Sequence, residues 1–166
     1  MDLARVGVIG CGRFATKAIY PSLRFAPLDL IAVCSRQAEK AERTARIFGA
    51  RRWYTDYRTM LAREELDGVF CITGNNQHLI ALEALARGLN VFIEKPPAPD
   101  LAGAEALLEA AERSGRWVQV GFMKRFAPSY RRAREILQRA GEFGRPTHVL
   151  GKFSGGSWTA DRKSVV

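Results

Sequence analysis

The sequence lacks several features that define large classes of protein. Its three cysteines, Cys11, Cys34 and Cys71, have no CxxC spacing, so we expect buried thiols in a reducing compartment and no metal site. No apolar run approaches the ~20 residues that span a bilayer, and no apolar leader precedes the first predicted strand. These absences favour a cytoplasmic protein with no membrane partner.

Charge of one sign is in excess, because 26 lysines and arginines face 17 acidic residues and leave a net charge of +9. A basic chain suggests nucleic-acid binding. The arginines are scattered over predicted helices, however, and their densest cluster, residues 131–134, has no aromatic ladder beside it. We therefore expect no nucleic-acid partner, and we interpret the charge as solvated helix faces that also attract an anionic cofactor.

Short apolar segments alternate with amphipathic ones, without internal repeats or low-complexity tracts. Predicted strands cover residues 3–9, 28–34, 53–54, 68–73, 90–93, 117–120 and 147–153, and predicted helices cover residues 13–24, 37–48, 57–62, 76–87, 101–114 and 128–140. Asp56 and Asp100 are predicted N-caps of two of these helices, and Gly49 is predicted to end the helix at 37–48. Strands that alternate with helices form βαβ units with right-handed crossovers. The fold class is therefore predicted to be α/β, with a doubly wound parallel sheet of Rossmann type.

A glycine-rich turn joins the first predicted strand to the first helix. Residues 10–15 read GCGRFA and fit the G-x-G-x-x-[GA] pattern in the context that the pattern requires. Gly10 would allow the tight turn, and Gly12 would let a pyrophosphate approach the backbone. Arg13 and Phe14 begin the helix, whose free N–H groups and positive dipole end suit phosphates. The alternative is a glycine turn without a ligand.

The end of the second strand predicts which dinucleotide binds. An acidic residue there would hold the ribose 2′-OH of NAD, but this chain has Ser35 and Arg36, and Glu39 already lies inside the helix. A hydroxyl and a guanidinium suit a 2′-phosphate, so NADP is favoured over NAD. The alternative for Arg36 is a solvent-exposed residue at a helix start.

The segment Glu94-Lys95-Pro96 ends a buried strand, at the sheet edge where ligands bind in open α/β folds. Pro96 restricts the backbone at Lys95 and disfavours helix there, which would direct Lys95 toward the crevice. A lysine beside a nicotinamide can hydrogen-bond a substrate hydroxyl and assist proton transfer. The alternative is a surface lysine in a loop.

Four segments together resemble the glucose-fructose oxidoreductase, inositol dehydrogenase and rhizopine catabolism family, known as Gfo/Idh/MocA. They occur in the family's order and spacing, and the resemblance extends from residue 3 to about residue 153. The segments are VIGCG at 8–12, ITGNNQH at 72–78, ARGLNVFIEKP at 86–96 and VGFMKRFAP at 120–128.

The resemblance implies that the loop from Thr73 to His78 passes under the nicotinamide ribose, so Thr73, Gly74, Asn75 and His78 are expected to contact the cofactor. The family usually has proline where this chain has Gly74, which predicts a more flexible loop. His78 matches a frequent family histidine, with a capping or packing role as the alternative.

The same resemblance gives roles to residues of the later segments. It places Glu94 near the nicotinamide ribose and makes Lys95 and Pro96 further cofactor contacts. Lys95 would also be the catalytic lysine and a substrate contact. Met123 would line the cofactor crevice. Arg125 would hold a polar substrate, with a structural ion pair as the alternative.

Family members have two domains, which implies the domain organisation of this chain. Residues 1–120 are expected to form the NAD(P)-binding domain, and residues 121–160 a crossover helix and the first strand, 147–153, of a truncated α+β domain. The missing part would carry the substrate pocket, an Asp–His pair and the interface of a homo-oligomeric parent. Residues 161–166 match no family pattern, and we interpret them as a translated sequencing adapter.

The function implied is reversible hydride transfer between NAD(P) and a hydroxyl or carbonyl carbon of a sugar, an inositol or a related polyol. The truncated chain is expected to be inactive by itself. One alternative is a non-catalytic NADP-binding redox sensor, which would not need the lysine of Glu94-Lys95-Pro96. Another is a methyltransferase, whose chemistry gives that tripeptide no role.

Overall fold

A computed structural model describes residues 3–74 and 76–139, together with residue 141 and residues 144–148 and 150–151. Contacts between residues divide the chain into two units, Met1–Phe122 and Met123–Val166. The first unit contains the whole sheet.

Six parallel strands form one sheet in the order β3-β2-β1-β4-β5-β6. Their bounds are β1 Ala4–Ile9, β2 Leu28–Cys34, β3 Arg52–Tyr54, β4 Gly68–Cys71, β5 Asn90–Ile93 and β6 Val118–Val120. The chain moves outward from β1 to one edge and then returns to build the other half. This is the doubly wound arrangement predicted from the sequence.

Helices connect successive strands. Their bounds are α1 Tyr20–Leu23, α2 Ala38–Phe48, α3 Tyr57–Arg63, α4 Gln77–Ala86, α5 Leu101–Ser114 and, in the second unit, α6 Pro128–Gln138. The predicted first helix contains a π-helical segment, Ala15–Ile19, directly before α1. Pro21 lacks the N–H that a regular helical bond would need at this point.

Side chains and glycines close the helix ends where the sequence predicts. Asp56 accepts a hydrogen bond from the Thr59 N–H at 2.9 Å, and Asp100 accepts one from the Gly103 N–H at 2.8 Å. Gly49 ends its helix in the left-handed conformation, with φ of 77°. These local signals fix three of the predicted helix boundaries.

Alternate residues of the central strands pack on opposite faces of the sheet. Ala32 and Cys34 of β2 belong to one buried cluster, whereas Val33 between them belongs to the other. On β1, Ile9 and Val8 divide in the same way. The sheet is therefore covered by helices on both faces, which explains why its strands read as nearly continuous apolar runs.

All three cysteines are buried and none forms a disulfide. Burial raises the pKa of Cys34 and of Cys71 to about 12, so both thiols remain protonated at neutral pH. Across the described ranges, no group of three His, Cys, Asp or Glu side chains could hold a metal ion.

The second unit contains a 3-10 helix, Met123–Phe126, and α6, and neither has a buried residue. The predicted strand at 147–153 is not found in its described part, because Thr147, His148, Leu150 and Gly151 lie outside any strand. Residues 149 and 152–166, including the hypothesised adapter, lie outside the described residues. In the part of the chain that the structure describes, no helix is long and apolar enough to cross a membrane.

A buried carboxylate joins the edge strand β3 to α3. The Glu64 side chain is 1% exposed and accepts hydrogen bonds from the Arg52 guanidinium and the Tyr54 hydroxyl. The guanidinium, aided by the hydroxyl, holds the pKa of Glu64 below its ordinary 4.5. The ionised Glu64 carboxylate therefore stabilises the fold at pH values above 4.5. This stability is lost as the pH falls through the pKa of Glu64 in the folded state.

We predict that Glu64→Gln lowers the free energy of unfolding by about 2 kcal/mol at neutral pH, because charge-assisted hydrogen bonds contribute on that order. The difference from the unsubstituted chain should shrink in acid. Urea titration at neutral pH and at acidic pH measures this difference in the free energy of unfolding. Glu65→Gln is the matched control, since that side chain is 90% exposed; equal losses from the two substitutions would contradict the prediction.

Candidate cofactor-binding site

Backbone hydrogen bonds continue one residue beyond the carboxyl end of five strands. Each of the five N–H groups donates to the carbonyl of the last residue of a neighbouring strand, at 2.8–3.2 Å; the donors are Ser35, Gly10, Ile72, Glu94 and Gly121. Their acceptors are the carbonyls of Tyr54, Cys34, Ile9, Cys71 and Ile93 respectively. The loops that follow these strands therefore start side by side, at one edge of the sheet.

Gly10 occupies a position that no other residue fits. Its φ is 125°, and a Cβ there would lie 2.3 Å from the carbonyl oxygen of Ile72. The Gly10 carbonyl accepts a hydrogen bond from the Tyr20 hydroxyl at 3.1 Å. The tight turn predicted from the motif is therefore required by the packing of β1 against the chain after β4.

Gly12 is surrounded differently. A Cβ at Gly12 would meet no atom within 4 Å, and Gly12, Arg13 and Phe14 are all exposed. Ala15, 1% exposed, packs this helix start against the sheet. The fold does not need glycine at position 12, but an anion that approaches the helix start does, so the residues present fit a dinucleotide phosphate.

A cleft of about 1070 Å³ opens above these loop starts. Six of the residues predicted to contact the cofactor line it. They are Gly10, Gly12, Ser35, Arg36, Thr73 and Gly74. Apolar side chains of Ile9, Ile72 and Ile80 line other parts of the same cleft.

One side of the cleft carries charges that the sequence motifs only partly identified. Arg36 and Lys40 both line it and both are exposed. Sequence reasoning missed Lys40, although its spacing of four residues from Arg36 was a usable signal. Neither side chain forms an ion pair with a carboxylate of the described residues.

Asp56 also lines the cleft and was predicted only as a helix cap. Its carboxylate accepts hydrogen bonds from the Thr59 hydroxyl at 2.7 Å and from the Thr59 N–H at 2.9 Å. These bonds, the hydroxyl first, lower the pKa of Asp56. The carboxylate is therefore ionised, and its charge lies at the N-terminus of α3, where the helix dipole offsets it.

The loop between β4 and α4 has an uncommon backbone. Gly74 has φ of 79° and Asn76 has φ of 60°. Proline, which the related family usually has at the position of Gly74, cannot adopt that φ. Asn75 lies outside the described residues.

His78 does not line the cleft. It is half-buried, and its Cδ2 atom lies 3.5 Å from the position that a Cβ of Gly103 would take. Its ring therefore lies toward the first turn of α5, the geometry of a packing residue. Arg13 and Phe14 border the helix start without lining the described cleft.

The Glu94-Lys95-Pro96 segment leaves β5 at the same sheet edge. Glu94 is half-buried, and its Oε1 atom lies 2.8 Å from where a Cβ of Gly121 would be, so glycine at 121 makes room for the carboxylate. Lys95 is exposed, its N–H donates to Glu94 Oε2 at 3.2 Å, and the Lys95–Pro96 peptide bond is cis. These three residues do not line the described cleft.

Gln77 is a further residue that sequence reasoning missed. It is 2% exposed and bonds to the backbone of the Glu94-Lys95-Pro96 segment. Met123 and Arg125, the remaining predicted residues, lie in the 3-10 helix of the second unit, and both are exposed.

Comparison with known proteins agrees with the fold. The chain is 32% identical to the scyllo-inositol 2-dehydrogenase (NAD(+)) of Bacillus subtilis over 89% of this chain and 43% of the relative. It is 30% identical to the D-xylose 1-dehydrogenase (NADP(+)) 2 of Haloferax volcanii over 89% of this chain and 45% of the relative. A dehydrogenase structure from Chromobacterium violaceum matches with a TM-score of 0.81 and 33% identity, covering 87% of this chain and 43% of the other.

The chain thus spans about half the length of the curated relatives it matches. Residues 4–122, which include every strand of the sheet, match the family described as an oxidoreductase family with an NAD-binding Rossmann fold. The chain belongs to this family, Gfo/Idh/MocA.

Proposed function

We propose that this chain is the dinucleotide-binding part of a dehydrogenase or reductase that acts on a CH–OH carbon of a sugar, an inositol or a related polyol. The observation that carries the proposal is the contrast between Gly10, which packing requires, and Gly12, which packing does not. The space above Gly12 and the adjacent helix start suit a pyrophosphate.

We propose NADP as the preferred cofactor. Ser35, Arg36 and Lys40 line the same cleft, and the two cations are unpaired among the described carboxylates. A guanidinium, an ammonium and a hydroxyl can together bind a ribose 2′-phosphate. The relatives named above include one NAD(+) and one NADP(+) enzyme, so the residues after β2 carry this part of the proposal.

Lys95 is proposed as the proton-transfer residue. It is exposed at the carboxyl edge of the sheet, and no described carboxylate forms an ion pair with it. A bound nicotinamide would supply the hydride chemistry. The Lys95 Nζ atom would hydrogen-bond the substrate hydroxyl and accept or return its proton.

The remaining predicted contacts are proposed with their roles as follows. Thr73, Gly74 and Glu94 would contact the nicotinamide ribose, and Met123 would line the crevice. Arg125 would bind a polar group of the substrate. For His78 we favour the packing role, because its ring lies toward α5.

The substrate class rests on the names of relatives, which include an inositol dehydrogenase and a xylose dehydrogenase. Those proteins are about twice as long as this chain. We propose that the further length carries most of the substrate pocket and the interface of a homo-oligomer, and that turnover requires it.

A pair of glycine substitutions tests the phosphate site. Gly12→Val should leave the melting temperature nearly unchanged and weaken NADPH binding about tenfold or more, about 1.4 kcal/mol. Gly10→Ala should instead lower the free energy of unfolding by about 3 kcal/mol, because its Cβ meets the Ile72 carbonyl and its φ is strained. Thermal melting and fluorescence titration of NADPH measure the two effects; retained binding in Gly12→Val would exclude a phosphate at that turn.

Charge reversal tests the cofactor preference. Arg36→Glu should raise the Kd for NADPH about 30-fold, equivalent to ~2 kcal/mol, and change the Kd for NADH much less. Lys40→Glu should act in the same direction. Arg46→Glu makes the same charge change on an exposed part of α2 that does not line the cleft, and it should have little effect. Tighter binding of NADH than of NADPH by the unsubstituted chain would overturn the preference.

Replacement of the lysine tests the proposed chemistry. The test needs a longer form of the protein that includes the proposed substrate pocket and turns over an inositol or an aldose. In that form, Lys95→Met should lower kcat by about 10²- to 10⁴-fold while the dinucleotide Kd stays nearly constant. Lys17→Met, an exposed lysine on the π-helical segment, is the control. An unchanged kcat in Lys95→Met, followed through the absorbance of the reduced cofactor, would remove Lys95 from the mechanism.

A further inference from the structure

We infer that Gln77 is a positioning residue for Lys95, because its buried amide fixes the backbone on both sides of that lysine. The inference rests on the proposed role of Lys95. Gln77 is the first residue of α4 and is 2% exposed. It is one of three buried polar or charged side chains among the described residues. The other two, Thr44 of α2 and Glu64 at the end of α3, precede β4 in the chain.

The amide of Gln77 spans Lys95. Its Nε2 atom donates one hydrogen bond to the carbonyl of Glu94 and another to the carbonyl of Pro96, the latter at 2.8 Å. β5 ends at Ile93, so both acceptors lie beyond the regular sheet. The Glu94 N–H still bonds to Cys71 at the end of β4, whereas the carbonyls of Glu94 and Pro96 bond to the Gln77 side chain. The only residue between these two acceptors is Lys95.

The orientation of the amide is determined by these two bonds. If the amide were reversed, Oε1 would face two carbonyl oxygens, and acceptors do not bond to one another. In the observed orientation, Oε1 is buried and has no hydrogen-bond partner in the described part of the chain. A buried acceptor without a partner destabilises a fold, so the Oε1 atom does not account for an amide at this position. The amide is therefore best explained by what its two N–H groups hold.

Gln77 also connects the Lys95 loop to the cleft. Asn76, its neighbour in sequence, lines the cleft together with Thr73 and Gly74. The hydrogen bonds of Gln77 therefore tie the β4–α4 loop to the loop that follows β5. A dinucleotide that contacts the first loop would find the backbone of Lys95 already fixed, and such preorganisation matters because proton transfer is sensitive to small displacements.

Two substitutions in the 166-residue chain test the inference. Gln77→Met keeps the length of the side chain and removes both donors together with the unpartnered acceptor. Gln77→Glu keeps the shape and replaces the donors with a carboxylate oxygen. Gln119→Met, at an exposed position on β6, is the matched control.

Amide hydrogen exchange is the first measurement. We expect the Lys95 amide to exchange about tenfold faster in both Gln77 variants, whereas the amides of Val91, Phe92 and Ile93 keep their rates. Gln119→Met should leave all of these rates unchanged. Unchanged exchange at Lys95 in Gln77→Met would overturn the inference, and so would global unfolding of both Gln77 variants, because Gln77 would then act as a general structural residue.

Ligand binding is the second measurement, with NADPH and with adenosine 2′,5′-bisphosphate, which carries only the adenosine end. We expect Gln77→Met to weaken NADPH about fivefold and to leave the bisphosphate unaffected, because only the nicotinamide end meets the Lys95 loop. Equal weakening of both ligands would indicate a merely structural role and overturn the inference. If the unsubstituted chain binds no dinucleotide, the proposed function fails, whereas the exchange measurement still decides whether Gln77 holds the loop.

Discussion

The close approach of Gly10 to the backbone of Ile72 is the constraint on which the rest of the site depends. β1 lies between β2 and β4. The chain must turn out of β1 at Gly10, where its backbone still bonds to Cys34 of β2 and Ile9 still bonds to Ile72 after β4. The carbonyl of Ile72 lies 2.3 Å from any Cβ at position 10, so only glycine permits the turn. Because the turn is this tight, the next helix starts directly above the sheet edge, where its exposed first residues can meet a ligand.

Most of the architecture was predictable because its signals are local. The predicted bounds of β2 and β5 match the observed ones, since strands buried on both faces are short apolar runs between turn residues. Asp56 and Asp100 marked helix starts because a cap acts on the next three residues. The π-helical segment was missed, although Pro21 in the sequence showed where a regular helix would lose a hydrogen bond.

The site was less predictable because much of it depends on contacts between distant segments. Lys40 and Asp56 line one cleft only because β2 and β3 are neighbours, and Gln77 holds residues 17 and 19 positions away. The strand predicted at 147–153 from the sequence pattern has no strand pairing in its described residues. A strand needs partners for its backbone groups, so a suitable sequence alone does not produce one.

Charge in the cleft supports the proposed preference for NADP. The carboxylate of Asp56 lies in the cleft, but Thr59 and the start of α3 take up its hydrogen bonds and offset its charge. Arg36 and Lys40 have no such compensation. The local charge is thus positive where β2 ends, which supports the proposed binding of a 2′-phosphate. In this fold the tight turn at Gly10 follows from packing, whereas the proposed cofactor preference depends on Arg36 and Lys40, whose exposed side chains are not fixed by packing.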